Sequence, residues 1–191
     1  MAEKPYGTFS LFLLAFAEAS FFPIPPDVLL VALSLGLRKK SIIFASICTI
    51  GSVLGGVLGY FIGYYLWWDG GLYTSFASLF FNHIPGFTEE LFQNIQDKYN
   101  IYGFLIIFTA GFSPIPYKIF TISAGAFDIS FPIFVAASII SRSARFFLIA
   151  ALILKYGDKI RNIIERYLNS LTLIFIALVI GSYFIIKYLI K

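Results

Sequence analysis

The segment from Ser41 to Trp68 constrains this chain more than any other, because it contains no charged side chain. A helix that crosses the ~30 Å hydrocarbon core of a bilayer needs roughly 20 apolar residues. This segment exceeds that length and ends in aromatic residues of the kind that gather at membrane–water interfaces, Tyr64, Tyr65, Trp67 and Trp68. The sequence therefore predicts a transmembrane helix here.

The composition of the whole chain indicates that lipid covers much of its surface. Hydrophobic residues make up 59% of the chain and charged residues 13%, whereas a soluble domain carries about 25% charged residues. This excludes a soluble enzyme, a secreted disulfide scaffold and a disordered chain. One cysteine and one histidine argue against a disulfide or a metal site. We find no motif of an enzyme or a nucleotide-binding loop, and we expect no catalysis, no cofactor, no metal and no nucleic-acid partner.

Two further segments are long and apolar enough to span a bilayer. Ile129 to Leu154 is the first, although it contains Arg142 and Arg145. Leu168 to Ile186 is the second, and we expect it to form an extra C-terminal transmembrane helix.

Two shorter apolar stretches predict re-entrant hairpins. Phe9–Phe22 and Ile101–Ser113 reach only about 20 Å as helices. Each meets a proline-rich turn, and a second short apolar run follows, Val28–Gly36 or Ile119–Phe127. Prolines interrupt helices by removing a hydrogen bond and by steric clash. The prolines assigned to the two turns are Pro23, Pro25, Pro26, Pro114 and Pro116.

The two turns also define an internal repeat. Phe21–Pro25 matches Phe112–Pro116 at an offset of 91 residues (112 − 21). A hairpin followed by a span contains an odd number of crossings, so the second copy is inverted, as in many secondary transporters. The alternative is a chance likeness of two proline-rich loops. The predicted organisation is one all-α membrane domain over 1–191, with repeat 1 at about 9–68, a connector at 69–100, repeat 2 at about 101–156, and a basic loop with the C-terminal helix at 157–191.

Five ionisable residues fall within or beside the predicted hairpins and spans: Glu18, Asp27, Lys118, Arg142 and Arg145. A charge at this depth needs a partner or water. Arg142 and Arg145 share a helix face at i, i+3, and two guanidinium groups suit a phosphate or carboxylates. Asp27 and Lys118 occupy equivalent positions after the two turns. We infer a polar cavity lined by both turns.

Structural explanations of these charges stay open. Glu18 would lie near the interface, Asp27 would cap its helix, and Lys118 would extend its stem to the surface. Arg142 and Arg145 would pair with the two carboxylates as a structural network.

Glycines recur every four residues in the first span, at Gly51, Gly55, Gly59 and Gly63. This spacing places a smooth face on one side of the helix and predicts close helix packing.

The motifs together resemble the DedA family of membrane proteins, of the SNARE-associated or VTT type, and its YqaA-like branch in particular. The resemblance rests on Phe16–Glu18, Phe22–Asp27, Gly59–Gly63, Gly111–Lys118 and Ala124–Gly125, and it extends over roughly residues 9 to 157. It implies two opposed re-entrant hairpins, a multi-pass protein of the prokaryotic plasma membrane, and lipid translocation that supports the cell envelope.

The resemblance also implies roles for particular residues. The acidic pair of the family corresponds to Glu18 and Asp27. Gly111 replaces an arginine that usually precedes the second turn, and Lys118 is shifted by one position. We expect Arg142 and Arg145 to supply the positive charge instead.

The leading hypothesis is a flippase or scramblase for a phosphate-bearing lipid such as undecaprenyl phosphate or a phospholipid. Lys118, Arg142 and Arg145 would hold the phosphate, while Glu18 or Asp27 would take up a proton or exchange ion-pair partners. The expected partners are membrane lipids, and a homo-oligomer is compatible with the sequence. The alternatives are a proton- or cation-coupled transporter of small solutes and a membrane assembly factor that transports nothing.

Overall fold

The computed structural model describes residues 5–22, 24–84, 86–113 and 115–159. The chain divides into two compact units, Met1–Leu154 and Lys155–Lys191. Of the second unit, only residues 155–159 are described, and they are helical. The predicted C-terminal helix, Leu168–Ile186, lies outside the described residues.

The described residues are almost entirely helical, as predicted. The elements in chain order are α1 (Pro5–Ser20), α2 (Asp27–Gly36), a 3₁₀ turn (Arg38–Lys40), α3 (Ser41–Trp67), β1 (Trp68–Asp69), β2 (Leu72–Tyr73), α4 (Ser75–His83), α5 (Glu89–Phe112), α6 (Tyr117–Ala126) and α7 (Phe131–Lys159).

Helices α3 and α7 are long and apolar enough to cross a membrane. At 1.5 Å per residue, the 27 residues of α3 extend about 40 Å, which exceeds the ~30 Å hydrocarbon core. These two helices coincide with the predicted spans at Ser41–Trp68 and Ile129–Leu154.

Helices flank each proline-rich turn. The first turn separates α1, of 16 residues, from α2, of 10 residues. The second separates α5 from α6, which also has 10 residues. A long apolar helix follows in both cases. The order helix, turn, short helix, long helix therefore occurs twice, while re-entry into a bilayer and inversion of the second copy stay predictions.

The connector differs from the sequence-based expectation of a hairpin arm that starts at Ile101. Helix α5 begins at Glu89 and continues without a break into the apolar arm. The Thr88 hydroxyl caps it by accepting from the backbone N–H of Leu91 at 3.1 Å, and Glu89 and Glu90 favour the positive end of the helix dipole. Because neither glycine nor proline occurs between Glu89 and Ile101, nothing interrupts the helix.

A tight β-hairpin begins the connector. Strands β1 and β2 pair antiparallel through Trp68 and Tyr73, and Asp69 and Leu72. Gly70 and Gly71 form the turn with φ of 57° and 86°, as a two-residue hairpin turn with two left-handed residues requires.

The apolar core of the first unit forms two clusters. One joins α1, α2, the first half of α3 and the later part of α7; it includes Leu11, Leu30, Phe44 and Phe146. The other joins the second half of α3 with α4, α5, α6 and the start of α7; it includes Tyr60, Phe92, Ile107 and Phe134. Along α7, Arg142 falls between Phe134 and Phe146, so charged side chains lie where the two clusters meet.

Candidate functional site

A buried ion pair joins the last turn of α1 to the middle of α7. Arg142 Nη2 donates to Glu18 Oε2 at 2.8 Å, and these side chains are only 2% and 9% exposed. Arg142 Nε donates to Ser52 Oγ on α3 at 2.6 Å, while the backbone N–H of Tyr117 donates to Glu18 Oε1 at 3.4 Å. The guanidinium carbon lies 4.9 and 4.6 Å from the ring centres of Tyr117 and Phe146. We call Glu18 and Arg142 the inner pair; it ties α1, α3, α6 and α7 together.

A second ion pair lies nearer the surface, between α2 and α7. Arg145 grips Asp27 with two parallel hydrogen bonds, Nε to Oδ1 at 2.9 Å and Nη2 to Oδ2 at 2.8 Å. The side chains are 16% and 19% exposed. Arg145 Nη1 also donates to the backbone carbonyls of Phe112 and Ser113 at the end of α5. This outer pair, Asp27 and Arg145, therefore connects the residue after the first turn to the start of the second.

Lys118 makes a second connection between the turns. It lies in the first turn of α6, is partly exposed, and its Nζ donates to the carbonyl of Phe21 at 3.3 Å. Beside it, Thr121 Oγ1 donates to the carbonyl of Ala19 at 2.9 Å. Among the described residues, no carboxylate lies within ion-pair distance of Lys118. Two cations of the second repeat, Lys118 and Arg145, thus hold backbone carbonyls at the two turns.

The structure brings the five predicted charges to the two turns, but it does not pair Asp27 with Lys118. Both lie at the start of ten-residue helices. Asp27 instead binds Arg145. The polar space expected between the turns stays a prediction, and the apolar cavity described below is lined by none of the five charges.

The turn prolines that the structure describes lie where α2 and α6 begin. Pro26 is buried and immediately precedes α2 with φ of −71°, and Pro116 immediately precedes α6 with φ of −58°. These values match the fixed φ of proline and suit a helix start. Pro25 belongs to the first turn and is exposed, whereas Pro23 and Pro114 lie outside the described residues.

The four α3 glycines allow two helices to approach α3 closely. A Cβ on Gly51 would fall 2.6 Å from the carbonyl oxygen of Phe12 in α1, and one on Gly55 would strike the backbone of Phe16. A Cβ on Gly59 or Gly63 would meet backbone or side-chain atoms of α6. A Cβ on Gly59 would also meet the carbonyl of Ala19. This glycine face therefore sets the distance between α3 and the helices that carry Glu18 and Lys118.

Sequence reasoning missed the groups that hold the inner pair. Ser52, Tyr117 and Phe146 surround the Arg142 guanidinium, yet none carries a charge at neutral pH, and Tyr117 belongs to the Gly111–Lys118 motif without any expected role there. The available signal was general: a buried arginine needs acceptors and partners, and Ser52 lies next to Gly51 on the packing side of α3.

The outer pair can exchange partners more readily than the inner pair. The inner pair is shielded on all sides and is held by hydroxyl, amide and aromatic groups. The outer pair is partly exposed, and so is Lys118. An incoming oxyanion could therefore compete with Asp27 for Arg145, because phosphate accepts the same forked hydrogen bonds as a carboxylate.

Comparison with known proteins places these residues in a family context. The VTT domain matches residues 22–155, a range that includes every candidate charge except Glu18. An uncharacterized protein of Haemophilus influenzae is 35% identical over 97% of this chain and 92% of its own length. An uncharacterized protein of Histophilus somni is 38% identical over 86% of this chain and 83% of its length. One from Methanocaldococcus jannaschii is 27% identical over 74% and 81%. No solved structure matches the chain.

Proposed function

The chain belongs to the VTT-domain, or DedA, family of membrane-associated proteins, and from that premise we propose that it translocates a phosphate-bearing lipid across the membrane. It would do so as a multi-pass protein of the prokaryotic plasma membrane. Phospholipids and polyprenyl phosphates share the recognised chemistry, an anionic phosphate attached to a hydrocarbon chain.

The observation that carries this proposal is the partly exposed outer pair, which lies at two turns that Lys118 also links. Two cations, Arg145 and Lys118, lie at the junction of the turns, and a single carboxylate, Asp27, neutralises one of them. A lipid phosphate that displaces Asp27 gains both cations. Protonation of the displaced carboxyl would favour the exchange and couple transport to protons.

The inner pair acts in this proposal as a fixed pivot rather than as the phosphate site. Its burial and its contacts to four helices oppose opening. Arg142 then positions α7 so that Arg145, one helical turn further along, reaches both turns. This narrows the predicted phosphate-binding set to Arg145 and Lys118, with Asp27 as the exchanging carboxylate.

Inverted hairpins would give the site access from both sides. If the unit α5–α6–α7 is the inverted copy of α1–α2–α3, the turns meet near the bilayer midplane and each hairpin faces a different leaflet. Release of the outer pair would remove one of the links between the turns, because Arg145 holds Asp27 and the end of α5 together, while the link from Lys118 to Phe21 would remain.

Reconstituted vesicles test this proposal. The full chain is incorporated into proteoliposomes that contain a headgroup-labelled phospholipid or a labelled polyprenyl phosphate, and exposure of the label is followed with and without a pH gradient. We expect wild type to move at least one probe. Asp27→Asn and Arg145→Gln each remove a charge-assisted bond worth about 1.5–3 kcal/mol, so they should slow translocation by about 10- to 150-fold.

A matched control is available on α5. Asp97→Asn makes the same chemical change as Asp27→Asn at an exposed position, and it should leave the rate unchanged. Equal loss in Asp97→Asn and Asp27→Asn would point to a general charge effect and would contradict the proposal.

A transporter of small solutes coupled to protons or cations is the second candidate, because each arginine of the site is already neutralised by a carboxylate. It predicts loss of uptake in Asp27→Asn and tolerance of Arg145→Gln. An assembly factor that transports nothing would tolerate both variants and fail when Gly55→Leu breaks the packing of α1 on α3. Absence of lipid movement from folded wild type would favour these two readings.

A further inference from the structure

An apolar cavity of about 350 Å³ lies at the far end of α3, away from the ion pairs. This volume falls at the lower end of the ~300–1,000 Å³ range of ligand sites. Trp67 closes α3, 15 residues beyond Ser52, so the cavity lies roughly 22 Å along the helix from the inner pair. The walls come from α3, from α4, from Phe87 and the start of α5, and from the end of α6.

The lining suits a hydrocarbon and excludes an ionic ligand. Its residues are Gly63, Leu66, Trp67, Phe76, Phe80, Phe87, Phe92, Ile122, Ser123, Ala126 and Phe127. None is charged. The lining has two polar side-chain groups, one on Ser123 and one on Trp67, and only the Trp67 group is buried without a partner among the described residues.

That group is the indole N–H of Trp67. Trp67 is 8% exposed, and its Nε1 has no acceptor among the described residues. The neighbouring indole behaves differently: Trp68 Nε1 donates to the carbonyl of Ala126 at 2.8 Å. Buried N–H groups nearly always find an acceptor, so an unpaired one in the wall of a cavity points to an acceptor supplied by a ligand.

The position of the cavity narrows the ligand class. Trp67 ends an apolar span in a group of aromatic residues, and such belts lie at the headgroup level of a bilayer. At that depth the lipid itself supplies carbonyl acceptors, in the esters that join its acyl chains to glycerol. Helix α4 forms one wall through Phe76 and Phe80 and buries only Ala77 among its residues, which leaves its outer side for the membrane surface.

We propose that this cavity binds one acyl chain of a membrane glycerolipid, whose ester carbonyl accepts a hydrogen bond from Trp67. The site is separate from the ion pairs, and the proposal does not depend on lipid translocation. A lipid bound there would attach the α4 end of the bundle non-covalently to the membrane.

The two tryptophans of the chain supply the test. Trp68→Phe leaves Trp67 as the only tryptophan, and Trp67→Phe leaves Trp68, which is less buried. Each variant of the full chain is reconstituted in phosphatidylethanolamine–phosphatidylglycerol vesicles with or without dibrominated acyl chains, which quench tryptophan fluorescence on contact. We expect bromine to quench the buried Trp67 more than the more exposed Trp68.

A cavity-filling variant separates bound lipid from surrounding lipid. In the Trp68→Phe background, Ile122→Phe adds a ring to the cavity wall and should relieve the quenching. Ile119→Phe makes the same substitution at an exposed position on α6 outside the cavity and should not. Stronger quenching of Trp68 than of Trp67, or equal behaviour of the two phenylalanine variants, would overturn the proposal.

A second measurement on wild type avoids dependence on these variants. A phospholipid with a diazirine near the middle of one acyl chain is photoactivated in the vesicles, and the labelled peptides are mapped. Labels at Trp67 or Phe80 would support the proposal. Labels confined to exposed positions such as Tyr65 and Leu72 would overturn it.

Discussion

Removal of one partner of the inner pair should destabilise this protein strongly. Arg142→Met keeps an unbranched apolar stem but leaves the Glu18 carboxylate 9% exposed, with a single backbone donor, Tyr117 N–H, at 3.4 Å. It also removes the cation from between the rings of Tyr117 and Phe146. A buried charge that loses its partner costs about 3–5 kcal/mol.

The double variant Glu18→Met with Arg142→Met should recover most of that loss. Replacement of a whole buried ion pair by apolar side chains is close to neutral or stabilising by about 1–4 kcal/mol. The free energy of the single variant therefore reports an uncompensated carboxylate rather than the net contribution of the pair. We therefore expect the double variant to lose much less stability than the sum of the losses of the two single variants.

Unfolding of purified protein in detergent measures both quantities. At about 2–4 °C per kcal/mol for a chain of this size, Arg142→Met should lower the unfolding midpoint by about 6–20 °C. Arg145→Met should have a smaller effect, because the outer pair is 16% and 19% exposed. A midpoint within a degree of wild type for Arg142→Met, or a double variant no better than the single one, would refute this reasoning.

Three further predictions concern packing, backbone conformation and the hydroxyl beside the inner pair. Gly55→Ala should lower the free energy of unfolding by about 1–3 kcal/mol through its clash with the α1 backbone. Gly56→Ala should be neutral or stabilising, because its Cβ would make ordinary contacts from 3.4 Å outward. Equal unfolding midpoints of the two variants would contradict this. Asp128 has φ of 50°, so Asp128→Val should cost about 1–2 kcal/mol and Asp128→Gly should not, as compared by thermal unfolding. Ser52→Ala should cost about 1–3 kcal/mol by leaving the buried guanidinium Nε unpaired; a denaturant titration with an unchanged midpoint would exclude that hydrogen bond.

Hydropathy and proline positions predicted the helices that form the frame of the site. A charge-free run sets the position of α3, and prolines fix the start of α2 and α6, because these are local effects of chain chemistry. The apolar run that begins at Ile101 does not coincide with the start of a helix, since α5 already begins at Glu89. The change from polar to apolar residues there marks a change of surroundings, and nothing in the backbone chemistry stops a helix at that point.

The pairing of the charges was only partly predictable. The i, i+3 spacing places Arg142 and Arg145 on one face, and pairing with Glu18 and Asp27 was one of the two readings that the sequence left open. Which carboxylate binds which arginine depends on how α1 and α2 dock against α7, and that is a tertiary property. The same holds for Ser52, which becomes a ligand of Arg142 only because the glycine face draws α1 and α6 onto α3.

The hairpin at the start of the connector, by contrast, was readable in advance. The sequence Trp68–Tyr73 places Gly70 and Gly71 between short apolar–polar pairs, and two adjacent glycines are a strong signal for a two-residue turn.

The outer pair is more exposed than the inner pair, so the fold should tolerate an exchange of the two charges better at the outer pair. Such an exchange can therefore test function in a protein that still folds. In Asp27→Arg with Arg145→Asp, the attraction between the two positions is restored, so the protein should fold. The carbonyls of Phe112 and Ser113 nevertheless lose their donor, because an aspartate cannot replace the Nη1 of Arg145. The link that Arg145 makes between the turns is then broken, and vesicle translocation should stay at the level of Arg145→Gln. Full recovery of translocation by the exchanged pair would show that Arg145 acts through its charge on Asp27 alone.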